Sequence, residues 1–176
     1  MSPCDAVDHA GPTTMLDSRA LRSALGHFAT GITIVTARNA DGNAIGLTVN
    51  SFNSVSLDPP LIVWSLSQTS SRFDAFQRAE HYAVHVLASD QIELAQRFAT
   101  SGVDKFLGLR TSTGLGGVPL LENCCAWFEC RNETRFEAGD HRLFIGAVQR
   151  FSTAQIAGRK PLIYHGGSYR ELSAQH

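Results

Sequence analysis

Between Gly46 and Pro60 the chain gathers Thr48, Asn50, Ser51, Asn53, Ser54 and Ser56, and the segment ends in Asp58-Pro59-Pro60. Hydroxyl and amide side chains both donate and accept hydrogen bonds. Such a density of them suits the polar edge of a ring-shaped ligand. Ser65 and Ser67 follow, and Ser70, Ser71 and Arg72 stand where a helix would open. Hydroxyls and a guanidinium at a helix start form a ready anion site, because the first N–H groups of a helix have no partner inside it. Much later, Gly139-Asp140-His141 sets an imidazole directly after a turn and beside a carboxylate. Taken together these residues offer binding of a ring and an anion rather than acid–base or nucleophilic chemistry.

Missing motifs narrow the field. Gly114-Leu115-Gly116-Gly117 does not complete G-x-G-x-x-G, and no amphipathic helix follows it, so a dinucleotide would be bound without a doubly wound fold. Neither G-x-x-x-x-G-K-[ST] nor G-x-S-x-G occurs. The cysteines, Cys4, Cys124, Cys125 and Cys130, form no C-x-x-C pair, and no histidines stand at zinc spacing, so no metal site is expected. They read as reduced, small apolar residues of a cytosolic protein. His27, His81 and His85 have no pattern and read as structural.

The elements that must position these residues are mostly strands. Asp17 or Ser18 can cap a helix with Leu21, Ala24, Leu25 and Phe28 on one face, ending at Gly31. Ile32–Ala37 is β-branched and reads as a buried strand, Asp41-Gly42 marks a hairpin turn, and Ala44–Ser54 reads as the returning strand. The two prolines break it, and Leu61–Leu66 is a third strand. A helix from Ser70 or Ser71 carries Asp74 at capping-box spacing. Tyr82–Leu87 is a strand, and Asp90 and Glu93 fit a capping box for a third helix. Gly102–Glu122 reads as a glycine-rich loop. Ala126–Phe136 alternates, with Ala126, Phe128 and Cys130 inward and Glu129, Arg131, Glu133 and Arg135 toward water. Leu143–Val148 pairs back on it as a hairpin, and Pro161–Tyr164 is a short last strand. Short strands, hairpin turns and few helices predict a mainly β fold, an antiparallel barrel with helices at its margins.

At 176 residues the chain has the size of one domain, expected over 18–172, with a loose arm over 1–17 and a tail over 173–176. Net charge is −1 with no run of five like charges, which speaks against a nucleic-acid or membrane-surface ligand. No stretch approaches the roughly 18 apolar residues of a membrane span. Met1–Asp17 lacks the basic start and apolar core of a secretory signal, so a cytoplasmic location is expected.

The Gly46–Pro60 segment and Gly139-Asp140-His141 resemble the two signatures of the short-chain flavin reductases, the small partners of two-component flavin monooxygenases. The likeness runs from about Ser18 to Leu172. It implies a split β-barrel and an NAD(P)H:flavin oxidoreductase that passes hydride from NADH or NADPH to FMN or FAD. The reduced flavin would then supply a separate monooxygenase. It also implies a homodimer. Ala44, Ile45, Gly46, Leu47, Thr48, Asn50 and Ser51 are carried over as ring-binding residues, largely through main chain. Ser65, Leu66, Ser67, Ser70, Ser71 and Arg72 fall at the flavin phosphate, and Arg97 and Phe98 at the flavin tail. His141, the candidate catalytic residue, would orient the nicotinamide. Tyr164, His165, Gly166 and Gly167 would border the dinucleotide, with Tyr169 flanking the ring. Holding two rings about 3–3.5 Å apart can supply several kcal/mol of the barrier, and no catalytic acid is required. Competing readings are a cobalt-corrin reductase that keeps its flavin, a pyridoxamine-phosphate-oxidase-like enzyme, and a flavin-binding module without turnover. The pyridoxamine-phosphate reading calls for more basic residues at the phosphate site.

Overall fold

The computed structural model describes residues 16–153 and 158–172. The arm up to residue 15, with Cys4, and the tail over 173–176 lie outside them. Asp17 caps the first helix, α1 (Ser18–Leu25), by accepting the Arg19 N–H at 2.9 Å, and Gly26 closes it, earlier than the expected Gly31. The strands are β1 (Thr30–Gly31), β2 (Thr33–Arg38), β3 (Ala44–Val49), β4 (Asn53–Leu57), β5 (Pro60–Ser67) and β6 (His81–Val86). After α2 (Phe73–Arg78) and α3 (Ile92–Ala99) come β7 (Thr111–Thr113), β8 (Pro119–Leu121), β9 (Ala126–Ala138), β10 (His141–Thr153), β11 (Ile163–His165) and β12 (Ser168–Arg170).

Seven strands form one sheet in the order β3-β2-β6-β9-β10-β5-β4, with β1-β11-β12 and β7-β8 as small additional sheets. Every pairing is antiparallel, so the mainly β, antiparallel expectation holds. Hairpins fix the register. At Asn39–Asn43 the Asn39 side chain accepts the Asn43 N–H at 2.8 Å, and Gly42 takes the positive φ of 79° that the turn needs.

The expected single strand over Ala44–Ser54 is instead two. β3 pairs with β2 and β4 pairs with β5, so the chain must cross between them at Asn50–Phe52. Ser51 makes that crossing: its hydroxyl donates to the Ser65 carbonyl (3.1 Å) and accepts the Ser65 N–H (3.0 Å). One side chain thus brings the edge strand β3 back against β5 and curls the sheet.

The inner face of the curl holds Val35, Leu47, Ile62, Phe76, Tyr82 and Phe144 around Trp64, whose ring stacks on Phe144 at 4.5 Å. Burial of each such side chain contributes about 1.5–3 kcal/mol. A second cluster, with Ile34, Leu87, Phe98 and Leu162, packs α3 and the C-terminal hairpin on the sheet.

Three local expectations are corrected. α2 begins at Phe73 with no side-chain cap, so the Ser71–Asp74 box does not form; Ser70 Oγ accepts the Arg72 N–H instead. Asp90 caps nothing, because Arg159 holds its carboxylate at 2.8 and 2.9 Å. The glycine-rich loop contains the β7–β8 hairpin, which covers part of the outer sheet face. Glu129, expected in water, is therefore 3% exposed and accepts the Leu115 N–H.

Candidate functional site

The outer edge of β3 is the first part of the site. Lys105 Nζ donates to the Gly46 carbonyl at 3.1 Å, which shows that this carbonyl points away from β2. Backbone polar groups alternate along an antiparallel strand, so Ala44 and Thr48 point the same way. Side chains alternate too: Ile45 and Leu47 are buried in the core, and their main-chain groups face β2, opposite Ala37 and Val35, so the structure turns neither residue outward as the resemblance implied. Gly46 is required by packing, since a Cβ there would lie 2.6 Å from the Phe98 ring. Thr48 Oγ1 donates to the Ala95 carbonyl at 2.7 Å and ties β3 to α3.

Two cations stand over this edge. Arg72 and Lys105 line a small cavity of about 80 Å³ with Ala44, Ile45 and Gly46. Lys105 also donates to the Phe98 carbonyl at 2.6 Å, capping the end of α3. Burial pushes its pKa down, and the Arg72 guanidinium acts in the same direction. An anion here would meet two positive charges, with the Asp104 carboxylate on the same lining. Lys105 was not legible in the sequence because the contact spans 59 residues. Its only local signal is the turn in which Asp104 accepts the Phe106 N–H and holds Lys105 at the loop tip.

The second part is the serine run and the hairpin turn. Ser65 and Ser67 face outward on β5 while Leu66 between them is buried. Ser67 lies opposite His141 in the β5–β10 register, and Gln68 N–H donates to the Asp140 carbonyl at 3.0 Å. Arg142 fixes the start of β10: it donates to Gln77 on α2 at 2.7 Å and to Glu137 at 2.6 Å, above the Phe73 ring. His141 Nδ1 lies 2.7 Å from Asp140 Oδ1. A carboxylate only accepts, so Nδ1 carries the proton and Nε2 is left to face a ligand. The same hydrogen bond holds the Asp140 carboxyl below the usual carboxylate range. Ser70 and Ser71 lie just beyond, before α2.

The third part is a cleft of about 580 Å³ between α1, the crossing at Asn50–Asn53 and the C-terminal hairpin. Leu25, Phe28, Phe52 and Tyr164 give it apolar walls, Asn50 and Ser51 its polar floor, and Gly167 its rim. Thr30 Oγ1, on the same wall, is buried without a hydrogen-bond partner among the described residues. Tyr169 packs edge-on to Tyr164 at 5.7 Å, and burial followed by Tyr164 raises its pKa. Gly166 N–H donates to the Gly26 carbonyl at 2.9 Å, and His165 lies 6.3 Å from His27.

Asn50 and Ser51 are the junction. They belong to the cleft, continue β3, and through Ser65 reach Ser67 and His141. The structure does not bring Arg97 and Phe98 to this surface. Phe98 is 1% exposed beneath Gly46, and Arg97 donates to the Leu107 carbonyl and faces a separate cavity with Glu93 and Arg110. Helical spacing placed them together at the end of α3 without saying which side was covered. Among the described residues no group of three potential metal ligands occurs.

Residues 25–173 match the family described as flavin reductase like domain. The chain is 45% identical to an FMN reductase (NADH) of Agrobacterium fabrum, over 90% of this chain and 88% of that protein. It is 40% identical to the reductase component of a flavin-dependent trigonelline monooxygenase of Acinetobacter baylyi, over 96% of this chain. There it spans 51% of the relative's length, and it spans about half (49%) of another relative. Among solved structures it resembles an NADH:FAD oxidoreductase of Streptomyces globisporus in complex with NAD and FAD fragments. That match has a TM-score of 0.82 and 32% identity, covering 89% of this chain and 93% of that one.

Proposed function

The chain belongs to the flavin reductase like family, and from that premise we propose that it oxidises NADH, reduces FMN or FAD, and supplies the reduced flavin to a separate monooxygenase. The observation that carries this reading is the junction at Ser51, which lines the apolar cleft, follows the polar edge strand β3 and is hydrogen-bonded to Ser65 at the start of the serine run. A flavin has the matching parts: a polar ring edge for the outward main chain of β3 and Asn50, and a phosphate for Arg72 and Lys105 with Ser70 and Ser71. The apolar cleft walls fit a second ring.

Bound flavin supplies the electron-accepting chemistry and the reduced nicotinamide the hydride. The protein's own residues bind, orient and exclude water. His141, its Nδ1 proton committed to Asp140, presents Nε2 to the carboxamide of the nicotinamide and fixes which ring face is offered. Tyr164 and Gly167 close the cleft from the C-terminal side, with His165, Gly166 and Tyr169 holding their turn. Leu25 (67% exposed) and Phe28 (75% exposed) leave an apolar face uncovered in the single chain, which supports a homodimer. No helix among the described residues is long and apolar enough to cross a membrane, and the reading places the enzyme in the cytoplasm.

The test is NADH oxidation followed at 340 nm with FMN or FAD added in turn. Turnover that saturates with free flavin is expected. Flavin binding without NADH oxidation would sink the reading and leave a binding module.

A further inference from the structure

Arg22 is the only charged residue among those lining the cleft; the others are Leu25, Gly26, Phe28, Thr30, Asn50, Ser51, Phe52, Asn53, Tyr164 and Gly167. No aspartate or glutamate shares the cleft with it, and among the described residues none forms an ion pair with it. Its Cα is fixed by the helix backbone. Gly26 N–H donates to the Arg22 carbonyl at 3.0 Å, so Arg22 lies one helical turn before the residue that accepts the Gly166 N–H. It lines the same cleft as Gly167; at the Gly166–Gly167 turn both glycines have positive φ (59° and 78°), and no atom lies within 4 Å of a Cβ added there. A cation without a counter-charge, next to open backbone at the mouth of an apolar cleft, suits a ligand with a neutral ring and an anionic tail.

We infer that Arg22 binds the pyrophosphate of the nicotinamide dinucleotide; this rests on the reading of the cleft given above. The two sets of cations then divide the ligands, Arg72 and Lys105 taking the flavin phosphate and Arg22 the dinucleotide. A guanidinium fork matches paired phosphate oxygens, which an ammonium meets only as a point charge. α1 buries none of its side chains in this chain, so replacing Arg22 leaves the core untouched.

The experiment compares Arg22→Ala and Arg22→Lys with the wild type on two hydride donors at saturating FMN. One is NADH. The other is 1-benzyl-1,4-dihydronicotinamide, which has the ring without phosphate. Arg22→Ala is expected to raise KM for NADH about tenfold to a hundredfold, the loss of a charge-assisted contact, with kcat within about twofold. The rate with the phosphate-free donor and the flavin Kd, read by fluorescence quenching, should not move, and Arg22→Lys should recover part of the loss. An unchanged KM for NADH, an equal loss with the phosphate-free donor, or a weakened flavin Kd would each overturn the assignment. If the wild type oxidises neither donor, the reading of the site fails, and calorimetry with NAD+ still decides Arg22: equal affinity of wild type and Arg22→Ala rejects it.

Discussion

Lowering the pH should weaken this fold through one histidine. His85 on β6 has no exposed surface; its Nδ1 lies 3.1 Å from the Ile34 carbonyl and its Nε2 accepts the Leu121 N–H at 3.1 Å. Nδ1 must therefore carry the only proton. A second proton would have to sit on Nε2, where it would face the Leu121 N–H in a place closed to water. Burial lowers the pKa from 6.5 to about 4, opposed only in part by the Ile34 hydrogen bond. The unfolded chain takes up this proton as pH falls below about 6.5, while the folded chain does so only near 4. The contribution to stability is thus fully present above 6.5, lost progressively between 6.5 and 4, and flat below. At about 1.36 kcal/mol per pH step the loss amounts to about 3 kcal/mol, a large share of an ordinary domain's 5–15 kcal/mol. Urea unfolding from pH 7.5 to 4, for the wild type and His85→Gln, isolates the effect, because the carboxylates titrate alike in both. The variant should start about 1–3 kcal/mol weaker, having lost buried hydrogen bonds, and the two curves should converge as pH falls. Parallel curves would refute the reasoning.

Three further outcomes are expected. Gly46→Ala drives a methyl into the Phe98 ring and towards the Val35 carbonyl at 3.2 Å; overpacking should cost about 1–3 kcal/mol and lower Tm by about 3–10 °C. Gly31→Ala, with nothing within 4 Å, should stay within about 0.5 kcal/mol, and equal Tm values for the pair would reject the packing argument. Lys105→Met keeps an apolar stem and removes the charge, so flavin Kd by fluorescence quenching should rise about tenfold to a hundredfold; unchanged affinity would remove Lys105 from the site. His141→Ala should lower kcat/KM for NADH about tenfold to a hundredfold, as expected for lost orientation, while Tm stays put because its hydrogen-bond partner Asp140 is exposed; intact kcat/KM would make the histidine a turn residue only.

The sequence was most legible where local chemistry decides structure. Asp41-Gly42 announced the β2–β3 hairpin, and alternation from Ala126 announced β9 with its partner β10. What remained hidden depends on elements distant in sequence. Glu129 kept a solvent-facing position in the pattern, and only the β7–β8 hairpin folding over it reveals a buried carboxylate. Lys105 and Arg22 join the site through contacts that no periodicity encodes. α1 showed the reverse: its apolar face implied packing that the single chain does not provide.

The edge of β3 has a bearing on how this protein can change over time. Ile45 and Leu47 are committed to the interior, Gly46 to the clearance of an aromatic ring, and Thr48 to α3. Almost any replacement that would re-shape the strand's outward surface is therefore first a threat to folding, yet no replacement except proline can delete a main-chain donor. Recognition of the shared ligand is in this sense insulated from drift, while divergence in preference is left to positions outside the interior: Lys105 itself, the turn at Gly166 and the surface of α1.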